Sequence, residues 1–171
     1  MKGVCVNYYE EGAYKILGEA LKDFIDDKTI IVNIGTDGVL GDCIGPLLGS
    51  MLVGMGLQIP VIGTLNDPIH AGNCTFKILE IKKKFAGYKV VAVDSCLGKN
   101  VGYIKMEKGS IKVGAGISKK YAEVGDVFIK AIVAGEESAK KFAQLKIRLR
   151  YIYNMSLVIA EAILYASKKG V

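Results

Sequence analysis

The stretch from Ile30 to Leu48 limits most strongly what this chain can fold into. It opens on a β-branched, wholly apolar run, Ile30-Ile31-Val32. It passes through a loop punctuated by Gly35, Gly38 and Gly41. It ends at Gly45-Pro46 before further apolar residues. That order predicts a buried strand, an exposed loop and a helix start. Pro46 suits the first helical position, where no N–H donor is required. Asp37 and Asp42 would then sit at the carboxyl end of a strand, the edge where open α/β sheets bind ligands. Asp42 would lie just before a helix N-terminus, whose partial positive charge favours an ionised carboxylate. Two readings of Asp42 follow: a working carboxylate, or a residue that only caps the helix. A phosphate loop is excluded. Asp37 occupies the place of the second glycine in a dinucleotide fingerprint, and no Gly-Lys-Ser/Thr follows.

The remainder of the chain repeats the pattern. The spacing predicts helices over 10–26, 46–57 and 73–86, with strands over 29–35, 60–64 and 88–94. The strands over 29–35 and 88–94 lack polar alternation, as expected of strands covered on both faces. Right-handed crossovers put the carboxyl ends of such parallel strands on one edge, so Asp94 is expected beside Asp42. Two neighbouring carboxylates do not both ionise cheaply and titrate as a pair. Such a pair can activate water and protonate a leaving amine. A plain strand-end aspartate bonded to loop amides is the alternative for Asp94. Beyond Asp94 an exposed strand over 101–106, a hairpin turn at 107–110 and a return at 111–113 are expected. An irregular segment over 114–125, a strand over 126–133 and helices over 136–146 and 147–168 follow. Residues 1–8 read as a loose arm.

The loop from Leu65 to Asn73 reaches the same edge and carries Asp67 and His70, the single histidine. His70 could act as a base or, with Cys74 four residues on, supply half a metal site. A loop histidine bonded to backbone is the alternative, and a lone histidine is a poor zinc signature. Gly35, Asp37, Gly38, Asp67, His70 and Ser95 are expected to bind substrate or support the loops. The amides of Gly35 to Gly38 are candidate oxyanion donors.

Length and composition fix the class. The 171 residues, 51% of them apolar, suit one α/β domain spanning 1–171. The four cysteines form no CxxC pair, which indicates reduced thiols in a cytosol. Cys43 and Cys96 lack a basic partner in sequence and read as bystander thiols. The net charge of +6 comes from scattered lysine pairs, the pattern of a solvated surface, and no nucleic-acid motif accompanies it. The charge-free run from Cys43 to Asn66 is broken by glycines and by Pro46 and Pro60, so it reads as a buried helix and strand, not a membrane span. Met1-Lys2-Gly3-Val4 does not begin a signal peptide.

Five motifs carry a family resemblance: Asn33 to Asp37, Gly41 to Pro46, Gly63 to Ala71, Val91 to Gly98, and Val113 to Ser118. Together the chain resembles the YyaC-type sporulation proteins over about residues 29–165. That family is assigned to spore proteases and related to the germination protease of spore-forming bacteria. More widely it is similar to hydrogenase maturation endopeptidases. The resemblance implies a three-layer α/β/α sandwich with a mostly parallel central sheet, of the phosphorylase/hydrolase-like kind. It matches Asp42 and Asp94 to the two catalytic aspartates of the germination protease. The hydrogenase enzymes bind a metal through residues matching Asp42 and Asp94 and through a histidine in the later irregular segment. Gly114 to Gly125 contains no histidine here. The resemblance therefore implies an aspartic-type endopeptidase with no metal and no cofactor. Its implied substrate is a protein or peptide in the cytoplasm of a sporulating cell or in the spore interior. A non-catalytic binding module and a metal-assisted hydrolase are the alternatives, and a homo-oligomer is left open.

Overall fold

A computed structural model describes residues 3–113 and 122–168. The chain runs β1 (Val4–Asn7), α1 (Ala13–Leu21), β2 (Thr29–Asn33), α2 (Ile44–Gly54), β3 (Val61–Ile62), α3 (Cys74–Lys84) and β4 (Lys89–Leu97). It continues with β5 (Tyr103–Lys108), β6 (Ile111–Val113), β7 (Ala122–Val124), β8 (Val127–Ala134) and α4 (Leu149–Ser167). Six strands form one sheet in the order β1-β5-β8-β4-β2-β3. Strands β3, β2, β4 and β8 are mutually parallel, and only β5 opposes them, because β1 pairs antiparallel with β5.

Two apolar clusters lie on the two faces of this sheet. On one face Leu17 and Leu21 of α1, Leu48 and Leu52 of α2, and Ile152 and Ile159 of α4 close over Ile31, Val91, Val93 and Ile129. On the other, Ile78 and Ile81 of α3 pack with Ile30, Val32 and Ala92, joined by Ile111, Val113 and Val124 of the β6–β7 ribbon. Each fully buried aliphatic side chain contributes about 1.5–3 kcal/mol. The three-layer α/β/α sandwich is therefore present, with a two-stranded ribbon sharing the layer of α3. Strands β2 and β4 are apolar on both sides because both of their faces are covered.

Several expected boundaries shift. Residues 4–7 are not a loose arm but an edge strand. Helix α2 starts at Ile44, which makes Pro46 its third residue. The stretch over 111–113 does not return on β5; β6 turns away and pairs with β7. The expected helix over 136–146 is a 3-10 segment, Glu136–Gln144, kinked at Lys141. The expected irregular segment lies outside the described residues over 114–121, and its end, Ala122–Val124, is β7. Among the described residues no helix is long and apolar enough to cross a membrane.

Candidate active site

The loop after β2 brings Asp42 back against the strand it left. Gly35 has φ +140, and a side chain there would place a Cβ 2.0 Å from the Asp42 carbonyl oxygen. Only glycine combines that backbone region with that approach. The Thr36 amide donates to the Asp42 carbonyl at 3.0 Å and fixes the return. Asp42 closes a single 3-10 turn, Leu40–Asp42, immediately ahead of α2. Its carboxylate does not cap that helix; no side chain does. Instead Ser95 Oγ donates to Asp42 Oδ1 at 3.2 Å, across fifty-three residues of chain. The capping alternative for Asp42 is thereby set aside.

Ser95 and Asp94 are successive residues of β4, and successive side chains point to opposite sheet faces. Ser95 shares the face of Val91 and Val93, toward α2 and Asp42. Asp94 takes the other face, beside Lys130 of β8, its partner in register. Among the described residues no hydrogen bond joins the two carboxylates, but Asp94 senses the charge of Asp42. Burial and then the negative charge of Asp42 push Asp94 up to about 7, against the lesser opposing pull of the Ser95 amide and Lys130. Asp42 is also raised by burial; Ser95, the Thr36 backbone and His70 pull the other way. Ser95 therefore serves both acids, through its hydroxyl on Asp42 and its amide on Asp94.

Asp42 opens into a hollow of about 400 Å³, lined by Thr36, Val39, His70, Ala71, Gly72 and Phe142. His70 Nδ1 accepts the Gly72 amide at 3.1 Å, and the Asn73 side chain accepts the His70 amide at 2.9 Å. The neutral ring then carries its proton on Nε2. The histidine is thus both backbone-bonded, as its plainer reading held, and part of the Asp42 pocket.

Other expected contributors separate from this group. Asp67 is exposed and tied to Lys77 in an ion pair, away from the hollow. Asp37 is exposed, and its charge is felt at Cys43. The expected oxyanion amides are largely committed: Gly35 donates to the Ile69 carbonyl at 2.8 Å, Thr36 to Asp42, and Gly38 to Thr36 Oγ1 at 3.2 Å. Of the four, only the Asp37 amide stays uncommitted. Burial pushes the thiols of Cys43 and Cys96 up, which keeps them neutral and weak as nucleophiles. Val39, Phe142 and Lys130 escaped sequence reasoning, since each joins the site through register or packing and not through a motif.

The donor set does not suit the metal of the hydrogenase enzymes. Among the described residues no three of His, Cys, Asp and Glu converge, and residues 114–121 contain none of these types.

A family model described as "Protein of unknown function (DUF1256)" matches residues 5–162, a span that includes both aspartate loops. The chain belongs to this family. It is 40% identical over 151 residues to a Bacillus subtilis (strain 168) protein named "Uncharacterized protein YyaC", covering 86% of this chain and 74% of that one. The relation read from the motifs is thereby shown. The crystal structure of a [NiFe] hydrogenase maturation protease HycI from Thermococcus kodakarensis KOD1 is similar with a TM-score of 0.49 and 17% identity. It covers 85% of this chain and 99% of its own. No residue role follows from that likeness.

Proposed function

We propose that this member of the family is an endopeptidase in which Asp42 and Asp94 act on a protein or peptide substrate. The support that carries the reading is two carboxylates at one sheet edge in different settings, Asp42 bonded to Ser95 and open to the hollow, Asp94 pushed up to about 7 by burial and by the charge of Asp42. Environments that drive two acids apart assign them opposite roles. Asp42, with a hydroxyl donor and an open hollow, is the base. It takes a proton from water as the water oxygen bonds to the peptide carbonyl carbon. Asp94 holds a proton near neutrality and delivers it to the departing nitrogen as the C–N bond breaks. The proton on Asp42 then restores Asp94. With three of the four glycine-loop amides committed, the Nε2–H of His70, which shares the hollow with Asp42, is the donor that meets the carbonyl oxygen. The motif resemblance supports a substrate in the cytoplasm of a sporulating cell or in the spore interior.

A second reading assigns the acid role to His70, because His70 shares the hollow with Asp42 while Asp94 does not line it. One experiment separates them. Purified chain is incubated with extract of sporulating cells, and new N-termini are mapped by mass spectrometry. Under the first reading Asp42→Asn and Asp94→Asn each abolish the new termini, and cleavage by the native chain falls above about pH 7. Full cleavage by Asp94→Asn, with loss in His70→Gln, would transfer the role to the histidine.

A further inference from the structure

The sheet face that carries Asp94 holds a row of polar side chains beside it. Cys5 of β1 pairs in register with Lys105 of β5, Lys105 with Lys130 of β8, and Lys130 with Asp94 of β4. Residues directly opposite on neighbouring strands point to the same face, so these four share one. It is the face of Ala92 and Phe128, which pack on the α3 side, and not that of Ser95.

Lys130 is half-buried and lies one strand from Asp94, a spacing of about 4.8 Å. A flexible four-carbon stem can cross that gap. Among the described residues, however, Lys130 forms no ion pair. Its Nζ stands 5.0 Å from the centre of the Phe128 ring, two residues back on the same face. That is a cation–π distance. The ammonium therefore leans back along β8 and leaves the acid uncovered.

The other titratable groups near this face are committed or turned away. Lys105 holds Glu107 at 2.8 Å on its own strand. Asp126, at the start of β8, accepts the Val90 amide. Burial keeps the Cys96 thiol neutral, against the pull of Lys130. Cys5 is exposed on the outermost strand, and Tyr103 follows Lys105 along the same face of β5. On the ribbon, Lys112 and Glu123 are the exposed alternates of the buried Ile111, Val113 and Val124. On α3, Lys77 pairs with Asp67, and Glu80 and Lys82 to Lys84 are exposed. Asp94 is thus the acid that Lys130 faces.

We infer that Lys130 is the positioning residue of this acid: its ammonium rests over Phe128 while Asp94 carries a proton, and swings to the Asp94 carboxylate once that proton has left. A protonated carboxyl has no charge to hold a cation, so the ring keeps it. When Asp94 gives its proton to the departing nitrogen, a half-buried carboxylate remains, and such a charge is costly unless paired. The ammonium one strand away supplies the partner and keeps its own protons throughout. When the proton held by Asp42 returns to Asp94, the ammonium goes back to the ring. The role in turnover rests on the endopeptidase reading, whereas the swing is a property of the folded chain.

The test follows the lysine directly. In the full chain labelled with carbon-13 lysine, the Lys130 ε-methylene protons should lie upfield at about pH 5, shifted by the Phe128 ring current. The upfield shift should be lost above about pH 8, once Asp94 has ionised. Phe128→Leu identifies the signal by removing the shift. In Asp94→Asn, which does not ionise, the signal should stay upfield throughout. A signal that does not move with pH in the native chain overturns the inference, and so does one that moves equally in Asp94→Asn. A second arm reads turnover. Lys130→Met should lower kcat about tenfold with little change in KM, and Lys130→Arg should restore most of it. The upper pH limit of cleavage should rise in Lys130→Met, because Lys130 favours the ionised form of Asp94. Equal loss in Met and Arg variants, with the pH limit unmoved, would make Lys130 merely structural and overturns the inference. The expected swing in a native chain that cleaves nothing would leave the Lys130–Asp94 pair standing and remove the endopeptidase reading.

Discussion

Asp94→Asn should make the protein more stable, and only at high pH. Burial and the charge of Asp42 raise the Asp94 carboxyl from an ordinary 3.8 to about 7. The native state therefore holds a proton that the unfolded chain releases near pH 4. Where the folded state binds more protons, stability falls as pH rises. The loss begins near pH 4, runs through the folded value and is complete above about pH 7. This is the reverse of the usual salt-bridged aspartate. The gap between 3.8 and about 7, at about 1.4 kcal/mol per pH unit, amounts to roughly 4 kcal/mol. Water at the partly exposed edge of the residue screens some of this, leaving about 2–4 kcal/mol. Asparagine does not titrate, so the stability difference between the two proteins should grow by that amount between pH 4 and pH 8. Urea unfolding followed by far-ultraviolet circular dichroism at each pH measures it. The growth with pH, not the absolute difference, is the signal, because asparagine also changes the contacts to Lys130 and to the Ser95 amide by a constant amount. In an Asp42→Asn background the growth should shrink, since the Asp42 charge is the second cause of the shift. A difference that stays flat from pH 4 to pH 8 would refute both the perturbed carboxyl and the division of roles built on it.

Two further outcomes follow from the same edge. Gly45→Ala places a Cβ 2.0 Å from the Ile34 carbonyl oxygen, a backbone atom with nowhere to go. About 3 kcal/mol of overpacking should outweigh a helix-propensity gain of about 1 kcal/mol and lower the melting temperature by about 4–8 °C. Gly54→Ala, in the same helix, meets nothing within 4 Å and should raise it slightly, so calorimetry finding one sign for both would reject the close packing of α2 on β2. Ser95→Ala removes the hydroxyl donor on Asp42, whose carboxyl should then titrate higher in carbon-13 NMR. A titration unchanged or lower would mean that Ser95 does not hold that carboxylate.

The strands were easier to anticipate than their partners. Ile30-Ile31-Val32 and Val90-Val91-Ala92-Val93 announce buried parallel strands because both faces of each are covered, and nothing distant is needed to decide that. Helices α1, α3 and α4 follow from stripes of apolar residues. The arm that became β1 was not legible, because Val4–Asn7 gains its conformation only from the free edge of β5. Likewise Ile111–Val113 alternates as any hairpin return would, but the ribbon partner that claims it is fixed by packing against α3. Glu136–Gln144 has a helical stripe but buries none of its residues fully, so packing does little to hold it to regular α geometry.

The site was legible as positions along strands and not as faces of a sheet. Asp42 and Asp94 both reach the carboxyl edge, as strand–loop order required. Their placement on opposite sides of β4 depends on parity. Ser95 has the parity of Val91 and Val93 and meets Asp42; Asp94 has the parity of Ala92 and meets Lys130. A run that is apolar at every position conceals which parity faces α2, so sequence alone implied two acids side by side. The actual separation has a chemical consequence. Carboxylates on one face would compete for one proton through a short hydrogen bond. Carboxylates divided by the strand end share no hydrogen bond, and the charge of Asp42 still reaches Asp94. Under the proposed mechanism that division would let one acid serve the water and the other the departing nitrogen. Ser95, bonded to one acid and adjacent in chain to the other, ties the two positions together.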